Sequence, residues 1–161
     1  MRIIKTLRPL LGAAAFDAKP IDKAKRCSRT RRPCDGLFSF SHDATTHHFH
    51  LLKDGGEIVV TANDPMDKTS IKEIWTHLNH IVGMFSNGNL DAPMLIHGTN
   101  PPGVATMTRL KSDIRYSVSE VPNGAMIRIK TSNPETTDAV HAFLLFQIVD
   151  HKTGDAPTIG S

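Results

Sequence analysis

Residues 45–62 read TTHHFHLLKDGGEIVVTA, and this stretch decides the fold. Polar and apolar side chains alternate on both sides of Asp54-Gly55, a dipeptide typical of a two-residue hairpin turn. The stretch therefore predicts two antiparallel strands joined by a tight turn. The residues expected on one face are Thr45, His47, Phe49 and Leu51 in the first strand, and Ile58, Val60 and Ala62 in the second.

A long helical pattern follows this hairpin. Asp64-Pro65 supplies an N-cap residue and a first-turn proline, and Asn87-Gly88 supplies a stop signal. Between them, apolar residues recur at helical spacing, which predicts a helix of about six turns. These residues are Ile71, Ile74, Trp75, Leu78, Val82 and Phe85.

The same signals return at an offset of 69 residues, in the stretch 114–131, IRYSVSEVPNGAMIRIKT. The offset pairs Gly55 with Gly124 and Pro65 with Pro134. We therefore expect both glycines in hairpin turns and both prolines at the start of a helix.

The two repeats, about 45–88 and 113–153, predict an α+β fold. We expect two ββα units that form a four-stranded antiparallel sheet, covered on one face by two long helices. Between the repeats, Pro101-Pro102-Gly103 predicts a short connector helix that ends near Lys111.

The positive charge lies at the start of the chain. Residues 1–35 hold ten Lys and Arg against three Asp, whereas the remaining residues hold nine against thirteen acidic residues. We therefore expect a basic, mobile arm over residues 1–40 and a single, mildly acidic domain over residues 41–161. A folded domain of this charge is not expected to bind nucleic acid.

The sequence contains no apolar run near the ~20 residues of a membrane span. The apolar stretch at residues 9–16 is short for a signal peptide and contains Pro9 and Gly12. These features favour a cytoplasmic location, with export to the periplasm as the alternative. Cys27 and Cys34, both in the arm, could pair after export or stay reduced in the cytosol.

Nine histidines make metal binding the main functional hypothesis. On the first helix, Glu73, His77, His80 and Met84 share one stripe, where imidazole and thioether would suit copper and imidazole and carboxylate would suit zinc. The alternative is a solvated polar flank beside the core.

A second set of histidines is expected to point inward. His47 shares a strand face with Phe49, and His141 shares a helical stripe with Leu144. A buried imidazole needs a partner for each ring nitrogen, so His47 and His141, with His97 on the connector, could hold a metal or a haem iron. The alternative is that each is a core histidine satisfied by a neighbouring polar group.

No nucleophile elbow, phosphate loop or dinucleotide fingerprint is present in the sequence. The leading hypothesis is a small protein that binds a transition metal or a metal-containing cofactor, with copper, zinc or haem as candidates. The runner-up is a small enzyme that uses His97 or His141 as acid or base on a small molecule. The third is an interaction module that forms a homodimer through its sheet.

Three stretches carry a family resemblance: TTHHFHLLKDGG at 45–56, PMLIHGTNPPGV at 93–104 and VHAFLLFQIVDHKTGD at 140–155. They resemble a family of small bacterial proteins of unassigned function, some of whose members are labelled aspartate carbamoyltransferase. That enzyme uses a Ser-Thr-Arg-Thr phosphate loop, and the nearest match here, residues 28–31, lies in the arm outside the repeats. The resemblance therefore implies no reaction, but it places four histidines inside the shared motifs. They are His47, His97, His141 and His151.

Overall fold

A computed structural model describes residues 42–91, 98 and 100–160. The predicted arm, 1–40, and His97 lie outside the described residues. The strands are β1 (Thr45–Leu52), β2 (Gly55–Ala62), β3 (Ile114–Val121) and β4 (Gly124–Thr131). The helices are α1 (Lys68–Ser86), α2 (Val104–Arg109) and α3 (Pro134–His151).

The four strands form one antiparallel sheet in the order β1-β2-β4-β3. Each hairpin is closed by a two-residue turn, and the β2–β4 pair joins the two hairpins. Alternate residues such as Phe49, Val60 and Ile127 are buried on the face that the helices cover. The predicted α+β fold with two ββα units is confirmed.

Each long helix covers mainly the hairpin of the other repeat. Helix α1 packs on β3 and β4, whereas α3 packs on β1 and β2. The two helices meet through Phe85 and Phe143, whose rings are in edge-to-face contact with centroids 6.3 Å apart. Because neither repeat covers its own hairpin, the two halves share one hydrophobic core.

The strands follow the predicted offset of 69 residues at every position, so that β1 matches β3 and β2 matches β4. Gly55 and Gly124 each follow the two turn residues of their hairpin as the first residue of the return strand. The prediction for the two glycines is therefore confirmed.

The prediction that Pro65 opens a helix is wrong. Helix α1 begins at Lys68 and is capped by Asp67, whose Oδ1 accepts a hydrogen bond from the Ser70 amide at 3.0 Å. Asp64 instead accepts a hydrogen bond from the Met66 amide at 2.8 Å, which forms a local turn around Pro65.

The second helix begins as predicted. Pro134 is its first residue, and the Asn133 side chain accepts a hydrogen bond from the Glu135 amide. The N-caps Asp67 and Asn133 are therefore 66 residues apart, three fewer than the strand offset. The three additional residues lie in the connection between β2 and α1.

The connector helix is also found where the sequence predicts it. Helix α2 begins after Gly103, whose φ of 84° favours glycine. A Cβ at Gly103 would lie 2.0 Å from the carbonyl oxygen of Ala139, so glycine lets α2 approach α3 closely. Among the described residues, no helix has the length and apolar character needed to cross a membrane.

Candidate functional site

Strand β1 presents histidines on both faces of the sheet. His47 is half-buried on the face that the helices cover, on the same side as Phe49. His48 and His50 lie on the opposite face, because successive side chains of a strand alternate. The prediction that His47 points toward the helices is confirmed.

His47 meets a histidine from a different element. His151 is the last residue of α3, and its ring stacks on that of His47 with centroids 5.5 Å apart and an angle of 30° between the planes. Phe49 packs against the same imidazole, with centroids 5.4 Å apart. The strand and the end of the helix thus bring two imidazoles together beside an apolar ring.

The other repeat contains no imidazole at the corresponding place. The strand offset of 69 residues matches His47 with Tyr116, and the helix offset of 66 residues matches His151 with Phe85. Tyr116 and Phe85 are in edge-to-face contact, with centroids 5.8 Å apart. Since this fold accepts a phenol and a phenyl ring there, the two imidazoles are not a requirement of the architecture.

A carboxylate holds the segment after α3 against β1. Asp155 Oδ2 accepts a hydrogen bond from the backbone amide of Phe49 at 2.9 Å, and Oδ1 lies 2.8 Å from His48 Nδ1. Because an ionised carboxylate only accepts, His48 Nδ1 donates this bond. The contacts fix the chain four residues after His151, so Asp155 helps to position the end of α3 beside β1.

The environment of Asp155 favours its ionised form. The side chain is 9% exposed, and burial alone would raise the pKa of its carboxyl group. Hydrogen bonds from the Thr153 hydroxyl, the Phe49 amide and His48 outweigh this effect and hold the pKa of Asp155 below its ordinary value. The carboxylate therefore remains charged where it binds β1.

The outer imidazoles of β1 are open to solvent. The side chain of His48 is 42% exposed, and its ring lies parallel to that of His50 with centroids 6.2 Å apart. A carboxylate that binds one ring nitrogen is the usual second partner of a metal-bound imidazole. His48 has such a partner in Asp155, although it lies on the opposite face from His47.

His141 lies at the other end of β1. Its Nε2 donates a hydrogen bond to the backbone carbonyl of Leu52 at 2.8 Å. This contact is of the kind that the alternative reading of a satisfied histidine describes, and it places His141 five strand positions from His47. The structure thus brings His47 to His151 and not to His141, and the role of His97 stays a prediction.

The predicted flank site lies on α1, away from β1. His80 is exposed beside a shallow cleft that Met84 and Asn87 help to line, and Glu73 and His77 are partly exposed. Within the described ranges, no three His, Cys, Asp or Glu side chains are grouped closely enough to hold a metal ion. Metal binding by His77 and His80 therefore also stays a prediction.

Comparisons with known proteins add no relative. No protein-family model matches the chain, and neither a curated protein nor a solved structure does. The functional argument therefore depends on the geometry described above.

Proposed function

We propose that the protein binds a transition-metal ion, copper or zinc, between His47 and His151. The observation that carries this proposal is the close pair of imidazoles at a place where the other repeat has Tyr116 and Phe85. Two elements supply the ligands, and Asp155 fixes the chain that follows the second one.

The spacing of the two rings suits a shared ion. Metal–nitrogen bonds are about 2.0–2.1 Å long, so two imidazoles on one ion have ring centroids roughly 5–6 Å apart. The observed separation of His47 and His151 is 5.5 Å. Small rotations of the two side chains would be enough to direct one nitrogen of each ring at the same point.

A bare ion fits this pair better than haem does. A haem bound by two histidines holds its macrocycle between their rings. The rings of His47 and His151 instead pack on each other, and Phe49 packs on His151. This packing supports copper or zinc over haem among the predicted cofactors.

Two imidazoles leave coordination positions for further ligands. Zinc prefers four ligands, and sites with fewer protein ligands keep water or a small molecule in the open position. His97, predicted from the sequence as a member of the inward set, is our candidate for a third ligand. The proposed role is thus to hold an ion that remains accessible to small molecules.

Metal titration of the apo-protein tests this proposal. We expect one equivalent of copper or zinc to bind, and His47→Ala or His151→Ala to lower the affinity by at least about tenfold through loss of a ligand. His50→Ala is the matched control, because His50 lies on the same strand but on the opposite face. Equal affinities for the wild-type protein and the His47 and His151 variants would refute the site.

A further inference from the structure

The segment after α3 shows how this sheet receives an extended chain at its edge. Gly160 donates its amide to the carbonyl of Leu51 at 2.8 Å, and Ile159 pairs with Leu51 in parallel orientation. Asp155 accepts the amide of Phe49. The outward backbone groups of β1 at Phe49 and Leu51 are therefore satisfied by one parallel segment.

Strand β3 is the opposite edge of the sheet and the repeat counterpart of β1. Val118 and Glu120 correspond to Phe49 and Leu51, and the matching registers of the two hairpins direct the same backbone groups outward. In the described part of the chain, no segment outside the sheet forms a backbone hydrogen bond with Val118 or Glu120. This edge thus offers a free donor and a free acceptor to an extended chain.

A cleft of about 310 Å³ lies where β3 reaches its hairpin. Its wall on α1 includes Lys68, Lys72 and Trp75, and its wall on the sheet includes Glu120 and Val121. The side chain of Trp75 has a relative exposure of 36%, which is high for a large apolar residue. The ammonium group of Lys72 has no hydrogen bond or ion pair with any residue that the structure describes.

The counterpart of this cleft on the other repeat is closed by the protein itself. The helix offset matches Trp75 with His141, which donates to the carbonyl of Leu52. Gly160, near the end of the segment on β1, approaches the Leu52 side chain to within about 4 Å. A chain bound to β3 in the same direction would therefore end at the Trp75 cleft.

We propose that the outer edge of β3 and the Trp75 cleft bind an extended peptide that ends in a free carboxylate. The peptide runs parallel to β3, donates to the Glu120 carbonyl and accepts from the Val118 amide, as the C-terminal segment does on β1. Its last apolar side chain packs on Trp75. Its carboxylate meets Lys72 and Lys68, whose two positive charges outnumber the single negative charge of Glu120.

Nuclear magnetic resonance of the labelled full-length protein tests this proposal. The probe is a synthetic peptide with the sequence of residues 153–161, TGDAPTIGS, because β1 already binds this sequence. Trp75 is the only tryptophan, so its indole N–H gives a single reporter resonance. We expect saturable shifts of this resonance and of the Val118 and Glu120 amides.

Three changes separate peptide recognition from general adhesion. The C-terminal amide of the probe should bind about threefold more weakly, and Lys72→Gln should weaken the free acid to a similar degree. Lys53→Gln, an exposed lysine in the turn after β1, is the control and should have no effect. A probe with N-methylglycine at the position of Gly160 should lose binding, because it cannot donate to Glu120.

Several results would overturn the proposal. They are unshifted Trp75 and β3 resonances at millimolar probe, equal binding of the acid and the amide, and undiminished binding by Lys72→Gln. The size of the protein at increasing concentration identifies the source of the peptide. A dimer that Lys72→Gln weakens would identify the C-terminus of a second copy, whereas a monomer would identify another protein.

Discussion

The carboxylate of Asp155 connects the end of one repeat to the first strand of the other. It contacts a backbone amide and an imidazole of β1 while it is almost fully buried. Sequence reasoning found His47 because the alternation of the strand is local. It missed Asp155 and the partnership with His151, since both depend on where α3 ends relative to β1.

A pH-dependent contribution to stability follows from Asp155. Its lowered pKa means that its stabilising effect is complete above the ordinary aspartate pKa of about 3.9 and is lost as the pH falls through the lower folded value. Asp155→Asn should therefore lower the free energy of unfolding by about 1.5–3 kcal/mol near neutral pH. Urea unfolding of both proteins should show this difference shrinking well below about pH 4. A difference that is the same at neutral and strongly acidic pH would exclude an ionised anchor.

At the scale of elements, the strands were predictable and the helix packing was not. Period-two alternation and the turns at Asp54-Gly55 and Asn123-Gly124 define both hairpins locally. The start of α1 was placed too early because Asp64 and Asp67 are both good N-cap residues, and Asp67 is the one that caps the helix. That three-residue difference also hid the match between Phe85 and His151. The exchange of helices between hairpins is a property of tertiary packing, for which the sequence shows no local signal.

Two glycines test the close packing of α2 on α3. Gly103→Ala should destabilise the protein by about 2 kcal/mol or more, because a Cβ there would overlap the Ala139 carbonyl and the backbone has positive φ. Gly83→Ala is the matched control on α1, where the new methyl group meets no atom within 4 Å. It should stabilise the protein by about 0.5–1 kcal/mol through helix propensity. Thermal or urea unfolding measures both changes, and a neutral Gly103→Ala would contradict the described contact.

Across the whole molecule, the two repeats share their backbone plan and differ in the chemistry at equivalent places. Tyr116 and Phe85 lie at the junction of α1 with the second hairpin, and His47 and His151 lie at the junction of α3 with the first. The edge of β1 carries the C-terminal segment, whereas β3 has no such segment in the described ranges. These differences locate the two proposed binding sites.

The central claim is that His47 and His151 are present for metal binding and not for the fold. The most direct measurement is the metal content of His47→Tyr/His151→Phe, which copies the pair of the other repeat, after equilibrium dialysis against copper or zinc. We expect this variant to remain folded, with a melting temperature within a few degrees of the wild type, and to lose the bound equivalent. A folded variant that still binds one equivalent with wild-type affinity would contradict the account.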